Sequence, residues 1–268
     1  MNENPSSGAT LRPLSVGNVV SAGIRLYRTN SDVYLPLALV AYLWIFIPFY
    51  GWAKYYMISG LMSRLAFTEL IEQPETVGTA RARVKSKLWY FLCVGFQVGI
   101  RLLGVYLLGA IAIGLISGIF SSIDPILGAI TIILSSIILI VFLIRFFSRF
   151  FVAEIPLAIE GNMTGGESVD RSWQLTEEAV GRIQIIAVIA FLVTLPLVAL
   201  TGYLPNILFL VLAPDFAASG LATLISVLIS LVGGILVLPF WQIIKAVVYY
   251  DLRSRQEGLD LQLRDRSF

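Results

Sequence analysis

The residue types that most often carry chemistry are sparse in this chain. Histidine is absent from all 268 positions, which removes imidazole ligands, His-based proton transfer and the usual Ser-His and Cys-His nucleophile pairs. The one cysteine, Cys93, lies in an apolar run and leaves no internal disulfide framework. The carboxylates stand beside basic residues, as on solvated faces, and form no cluster with metal-ligand spacing. The stretch "GNMTGG" at 161–166 has neither the lysine nor the preceding strand of a phosphate-cradling loop. These residues predict no enzyme, no bound metal and no cofactor. Basic residues balanced by nearby acids predict no nucleic-acid partner.

What remains are isolated charges and small residues. Arg101 is the one charge deep in an otherwise apolar helix, one turn after Gln97. Such a charge is costly in lipid and faces a bundle interior, a cavity or a partner. Arg101 and Gln97 are therefore the candidate intramembrane polar site. Pairing with a carbonyl, with Gln97 or with a carboxylate is the structural role; binding an anion or a lipid phosphate is the functional one. Lys54, Arg64, Arg145, Arg149, Lys245 and Arg255 form a candidate basic collar for lipid headgroups, each worth on the order of 1 kcal/mol near an anionic surface. Ala218, Ala222, Ser226, Ser230 and Gly234 recur every fourth residue and make a candidate helix-packing stripe, within one molecule or between copies.

These residues need elements to hold them. The chain is 57% hydrophobic and 13% charged, with mean hydropathy +0.85, whereas a soluble domain carries about 25% charged residues. Several windows approach the roughly 20 apolar residues needed to span a bilayer. The reading is an all-α integral membrane bundle of five to six spans with two amphipathic interfacial helices. Its domain occupies 15–256, between a flexible tail at 1–14 and a C-terminal tail at 257–268. The amphipathic segments are 15–29, with Val16, Val19, Val20, Ile24 and Tyr27 on one face, and 166–181, opened by capping-box spacing at Thr164 and Glu167. The spans are 32–49, 88–120, 126–147, 183–201 and 217–244, with a tight turn at 121–124 before Pro125. The apolar, proline-broken stretch 202–216 reads as a loop dipping into the interface. A sixth span arises if Pro48–Gly51 turns the chain and 52–71 returns; otherwise 52–71 runs along the surface.

Basic residues orient the spans. The segment 51–87 holds six, 145–182 holds four and 245–268 holds five, while the turns at 121–125 and 202–217 hold none. The positive-inside rule places the three basic segments in the cytoplasm. The tail at 259–264 alternates leucine with polar residues, the period of a strand that could add to a partner.

The stretch 47–64 is echoed at 238–255, with Pro48/Pro239, Phe49/Phe240, Lys54/Lys245, Leu61/Leu252, Ser63/Ser254 and Arg64/Arg255 at matching offsets. Together "LSVGNVVSAGIRLYR", "YLWIFIPFYGWAKYYMISGLMSRLAF", "ESVDRSWQLT" and "VVYYDLRSRQEGLDLQL" resemble a family of multi-pass bacterial membrane proteins, common in cyanobacteria. Its members are labelled glycerophosphoryl diester phosphodiesterase membrane-domain proteins. The resemblance implies a cytoplasmic or thylakoid membrane location. It carries no activity across, because the catalytic domain behind the label uses histidines and this chain has none. The expected function is a non-enzymatic scaffold or accessory subunit that contacts lipid and associates with itself or with a membrane-protein partner. The alternative is a transporter or channel for a small or anionic solute.

Overall fold

The computed structural model of the chain describes residues 14–258. The tail at 1–13 and the alternating segment at 259–268 lie outside the described residues. Among those described there are helices and turns but no strand: α1 (Val16–Thr29), α2 (Ser31–Ile45), α3 (Tyr50–Leu70), α4 (Val77–Lys85), α5 (Leu88–Ile123), α6 (Pro125–Ser148), α7 (Ile155–Ile159), α8 (Gly165–Leu175), α9 (Val180–Val198), a π-helical turn (Ala199–Tyr203), α10 (Leu204–Leu212), α11 (Pro214–Ala217) and α12 (Gly220–Glu257).

Local chemistry sets many of these ends. The Ser15 hydroxyl accepts from Asn18 N to open α1. Thr164 and Glu167 close the expected capping box on α8. The Asp124 carboxylate accepts from Ile126 N and Leu127 N, and Pro125 occupies the first turn of α6, where its missing donor costs nothing. The chain reverses between α2 and α3 through a γ-turn at Phe49 (φ 55°, ψ −70°), in which Tyr50 N donates to Pro48 O at 2.7 Å. That conformation is strained for a residue with a side chain.

Four helical stretches are long and apolar enough to cross a bilayer: α5, α6, the continuous run Val180–Leu212, and α12. The fold is an all-α membrane bundle, with α2 and α3 as a further antiparallel hairpin. At 15 residues, α2 extends about 22 Å against the roughly 30 Å of a hydrocarbon core. Ser63 and Phe67 of α3 lie beside Gln242 and Tyr249 of α12. That register leaves the Pro48 turn roughly two helical turns short of the Gly220 end of α12.

Three expectations are corrected. The stretch 202–216 is helix for most of its length: the π turn absorbs the irregularity at Pro205, so the run from α9 continues to Leu212 and the reversal falls at 213–219. The first amphipathic helix packs on α12, with Tyr27 Oη donating to Leu236 O at 3.0 Å, so it lies against protein on its apolar side. Not every carboxylate is solvated: Glu75, Glu154 and Asp251 are held by cations in the interior, whereas Asp170 and Glu177 stand on exposed faces.

The three basic segments converge in one layer. There α3, the C-terminal half of α12, α7, α8 and the start of α5 bury a common core around Leu61, Leu157, Val169, Ile243 and Tyr249. From this base the α5–α6 hairpin projects, and its apolar windows are only 6% buried.

Candidate functional site

After α6 the chain descends through a series of short turns, with Phe150, Phe151, Ala153 and Ile155 each bonded three residues back. Ile155 and Pro156 then open α7, and Glu154 is left at its N-cap. The Glu154 carboxylate faces α12, where Lys245 Nζ donates to its Oε1 at 2.6 Å. The two side chains are 11% and 23% exposed. Among the described residues this is the one hydrogen bond that either group makes, so both keep unused capacity.

The pair lines a crevice of about 290 Å³ together with Tyr56, Gly95 and Gly99. Leu102, Phe147 and Phe151 are shared with an apolar cleft of about 750 Å³ that Val188, Phe191 and Trp241 close from α9 and α12. Tyr56, Gly95 and Gly99 are shared with a second cleft of about 470 Å³ beside Trp52. Above the pair the rings of Tyr42, Tyr55 and Tyr56 stack edge to face, with centroids 5.9 and 5.6 Å apart. Opposite charges at the floor of an apolar crevice can hold a polar group, but they present no nucleophile–base geometry.

The expected site residues fall in several places. Arg101 is not deep in a bundle: its guanidinium is 3.9 Å from Asp170 of α8 and 5.7 Å from the Phe150 ring, and both ion partners are exposed. Such a pair contributes little stability. Gln97 lies beside Gly166 at the start of α8. Helix α8 thus covers this stretch of α5, and the polar residues face it.

Half of the basic collar is hydrogen-bonded to carboxylates of the same molecule. Arg64 grips Glu75 in a two-pronged pair at 2.8 and 2.7 Å and donates to Ala158 O at 2.6 Å. This fork holds the Glu75 carboxyl below its ordinary value of 4.5, against the opposing effect of burial. Lys245 is committed to Glu154, and Arg255 to Asp251 at 3.1 Å. Arg64 is buried and Lys245 partly so, whereas Arg255 stays exposed while it pairs. Arg149 stacks over Trp173 with its guanidinium carbon 4.3 Å from the ring centroid. Arg145 is exposed and pairs with no carboxylate among the described residues. Lys54 sits over the rings of Trp44 and Tyr50, at 5.8 and 5.4 Å.

The small-residue stripe is broken. Ala218 precedes the start of α12, whereas Ala222 and Ser226 are buried within the molecule. Ser230 Oγ donates to Thr201 O at 3.1 Å, and Gly234 receives the Tyr42 hydroxyl. A different set of small residues is free. Gly104, Gly114 and Gly118 of α5 have nothing within 4 Å of where a Cβ would stand, while Gly109 meets Leu139 of α6. At 100° per residue the three open glycines lie on the side of α5 opposite α6.

Sequence reasoning missed Glu154, since no short-range pattern ties a residue at the end of one span to a lysine 91 positions away. Its one signal was an acid two residues before a proline in an otherwise apolar stretch. No protein-family model matches the chain, and neither a curated protein nor a solved structure matches it.

Proposed function

We propose that this chain is a non-enzymatic integral membrane scaffold or accessory subunit that associates, with itself or with another membrane protein, through the α5–α6 hairpin. The observation that carries the reading is the open glycine face of α5, on a hairpin whose apolar windows are 6% buried. In lipid, small residues in this spacing let a second helix backbone approach closely enough for dispersion contacts to accumulate. The setting is a bacterial cytoplasmic or thylakoid membrane, as in the multi-pass family that the sequence resembles, with the basic layer and both ends on the cytoplasmic side. Cysteine cross-linking in native membranes tests the contact. In a Cys93→Ser background, Gly118→Cys is expected to give a covalent adduct and Gly109→Cys, which faces α6, none. Equal yields from the two positions contradict it.

A second reading, transport of a small or anionic solute, has one observation in its favour: the Glu154–Lys245 pair on the wall of the crevice. Solute flux into vesicles that is abolished by Glu154→Gln/Lys245→Met would support it over the scaffold.

A further inference from the structure

Helix α4 carries three cations, and they divide by direction. Arg83 turns to Glu75 at 3.1 Å, sharing the carboxylate that Arg64 holds. Arg81 and Lys85, one turn apart, instead line a crevice of about 300 Å³ with Lys54. None of these three pairs with a carboxylate among the described residues. Like charges at this spacing on a helix repel and destabilise it. Lys54 reaches the same crevice from α3, its ammonium held by the faces of Trp44 and Tyr50. Three converging positive charges without a counter-charge form a receptor for an anion.

The remaining walls say which anion. Val40, Trp44, Met57 and Ile58 complete the crevice, and the apolar surface continues along α2 through the exposed Leu39 and Leu43. A ligand with a phosphate and an acyl chain satisfies both halves. We infer that Lys54, Arg81 and Lys85 bind the phosphate of an anionic membrane phospholipid, whose chain lies along the exposed face of α2. The inference rests on the membrane reading alone and not on association through α5–α6.

The test uses the full-length protein in detergent, titrated with phosphatidylglycerol, with phosphatidylcholine or with inorganic phosphate, and read by native mass spectrometry. Phosphatidylglycerol is expected to be retained in preference to phosphatidylcholine. Arg81→Gln/Lys85→Gln, both on the exposed side of α4, is expected to weaken that retention about thirtyfold, at roughly fivefold per charge removed. Arg25→Gln/Arg28→Gln removes the same charge from α1 and is expected to change retention less than twofold. Equal losses from the two double variants would mean a diffuse field and overturn the site. So would full competition by inorganic phosphate, which would leave the apolar wall without a role, or undiminished retention by the α4 variant. Particle mass, measured on the same samples, separates any failure here from failure of the association reading.

Discussion

Arg255 Nη2 donates to the backbone carbonyl of Leu14 at 2.8 Å, joining the last turn of α12 to the segment just before α1. Asp251 completes the link, accepting from Leu14 N at 2.7 Å and from Arg182 Nε at 2.9 Å. The beginning of α1, the beginning of α9 and the end of α12 therefore lie on one side of any membrane the chain crosses. The turns at 121–125 and 213–219, remote from this cluster and free of basic residues, reverse the two long hairpins.

Labelling from the two faces follows directly. In a Cys93→Ser background, Ser122→Cys and Ser219→Cys should react from the same face, and tags at the two chain ends from the other. A membrane-impermeant thiol reagent on sealed vesicles reads this. Labelling of Ser122→Cys and a terminal tag from one face would contradict the arrangement.

Lys245→Met should be much worse than removal of both partners. It leaves the Glu154 carboxylate unpaired in the interior, at a cost of about 3–5 kcal/mol, whereas Glu154→Gln/Lys245→Met removes both charges and should restore most of the loss. Thermal unfolding of purified variants in one detergent checks the order. A double variant as unstable as the single one would mean that the pair has a positive structural role.

The open and filled glycines should separate cleanly. A Cβ at Gly51 would stand 2.0 Å from the Trp44 backbone oxygen, which cannot move aside, whereas Gly99 has open space. Gly51→Ala should lose at least the roughly 1–3 kcal/mol of an overpacked site, and Gly99→Ala almost nothing. Phe49→Gly should do the opposite at the adjacent γ-turn and gain about 1 kcal/mol by relieving its positive φ. Melting temperatures under one condition check all three.

Acid should weaken the Arg64–Glu75 fork. The hydrogen-bonded and charged partner lowers the folded-state pKa of Glu75 below its ordinary 4.5. The pair's contribution is therefore full above about that pH and is lost as pH falls through the lower folded value. The stability gap between the wild type and Glu75→Gln should be constant at neutral pH and close below pH 4.5. A gap independent of pH across that window would contradict the assignment.

Much of the frame was legible because its signals are local. Ser15, the Thr164–Glu167 box and Asp124–Pro125 each act within one helical turn, and the placement of basic residues located a common layer. What the sequence hid depends on distant partners. Arg101 looked intramembrane because nothing nearby in sequence marked Asp170 as its neighbour. Pro205 read as a break because a π turn leaves no compositional trace. Pro48 and Pro239 are alike in sequence, yet one follows the end of α2 at a reversal and the other sits inside a 38-residue helix. The repeated segments nevertheless meet, with Ser63 Oγ bonded to the Gln242 side chain at 2.9 Å. The candidate site was the least legible part, since Glu154, Lys245 and Tyr56 come from three separated elements.

The mass of the protein in native-like lipid particles tests the central claim most directly. The wild type should appear as a multiple of the 29.5 kDa chain, or bound to a membrane-protein partner. Gly114→Leu/Gly118→Leu, which fills the open face of α5 without meeting any neighbour within the molecule, should reduce it to a lone chain. A wild type that is already a single 29.5 kDa chain with no partner would contradict the account.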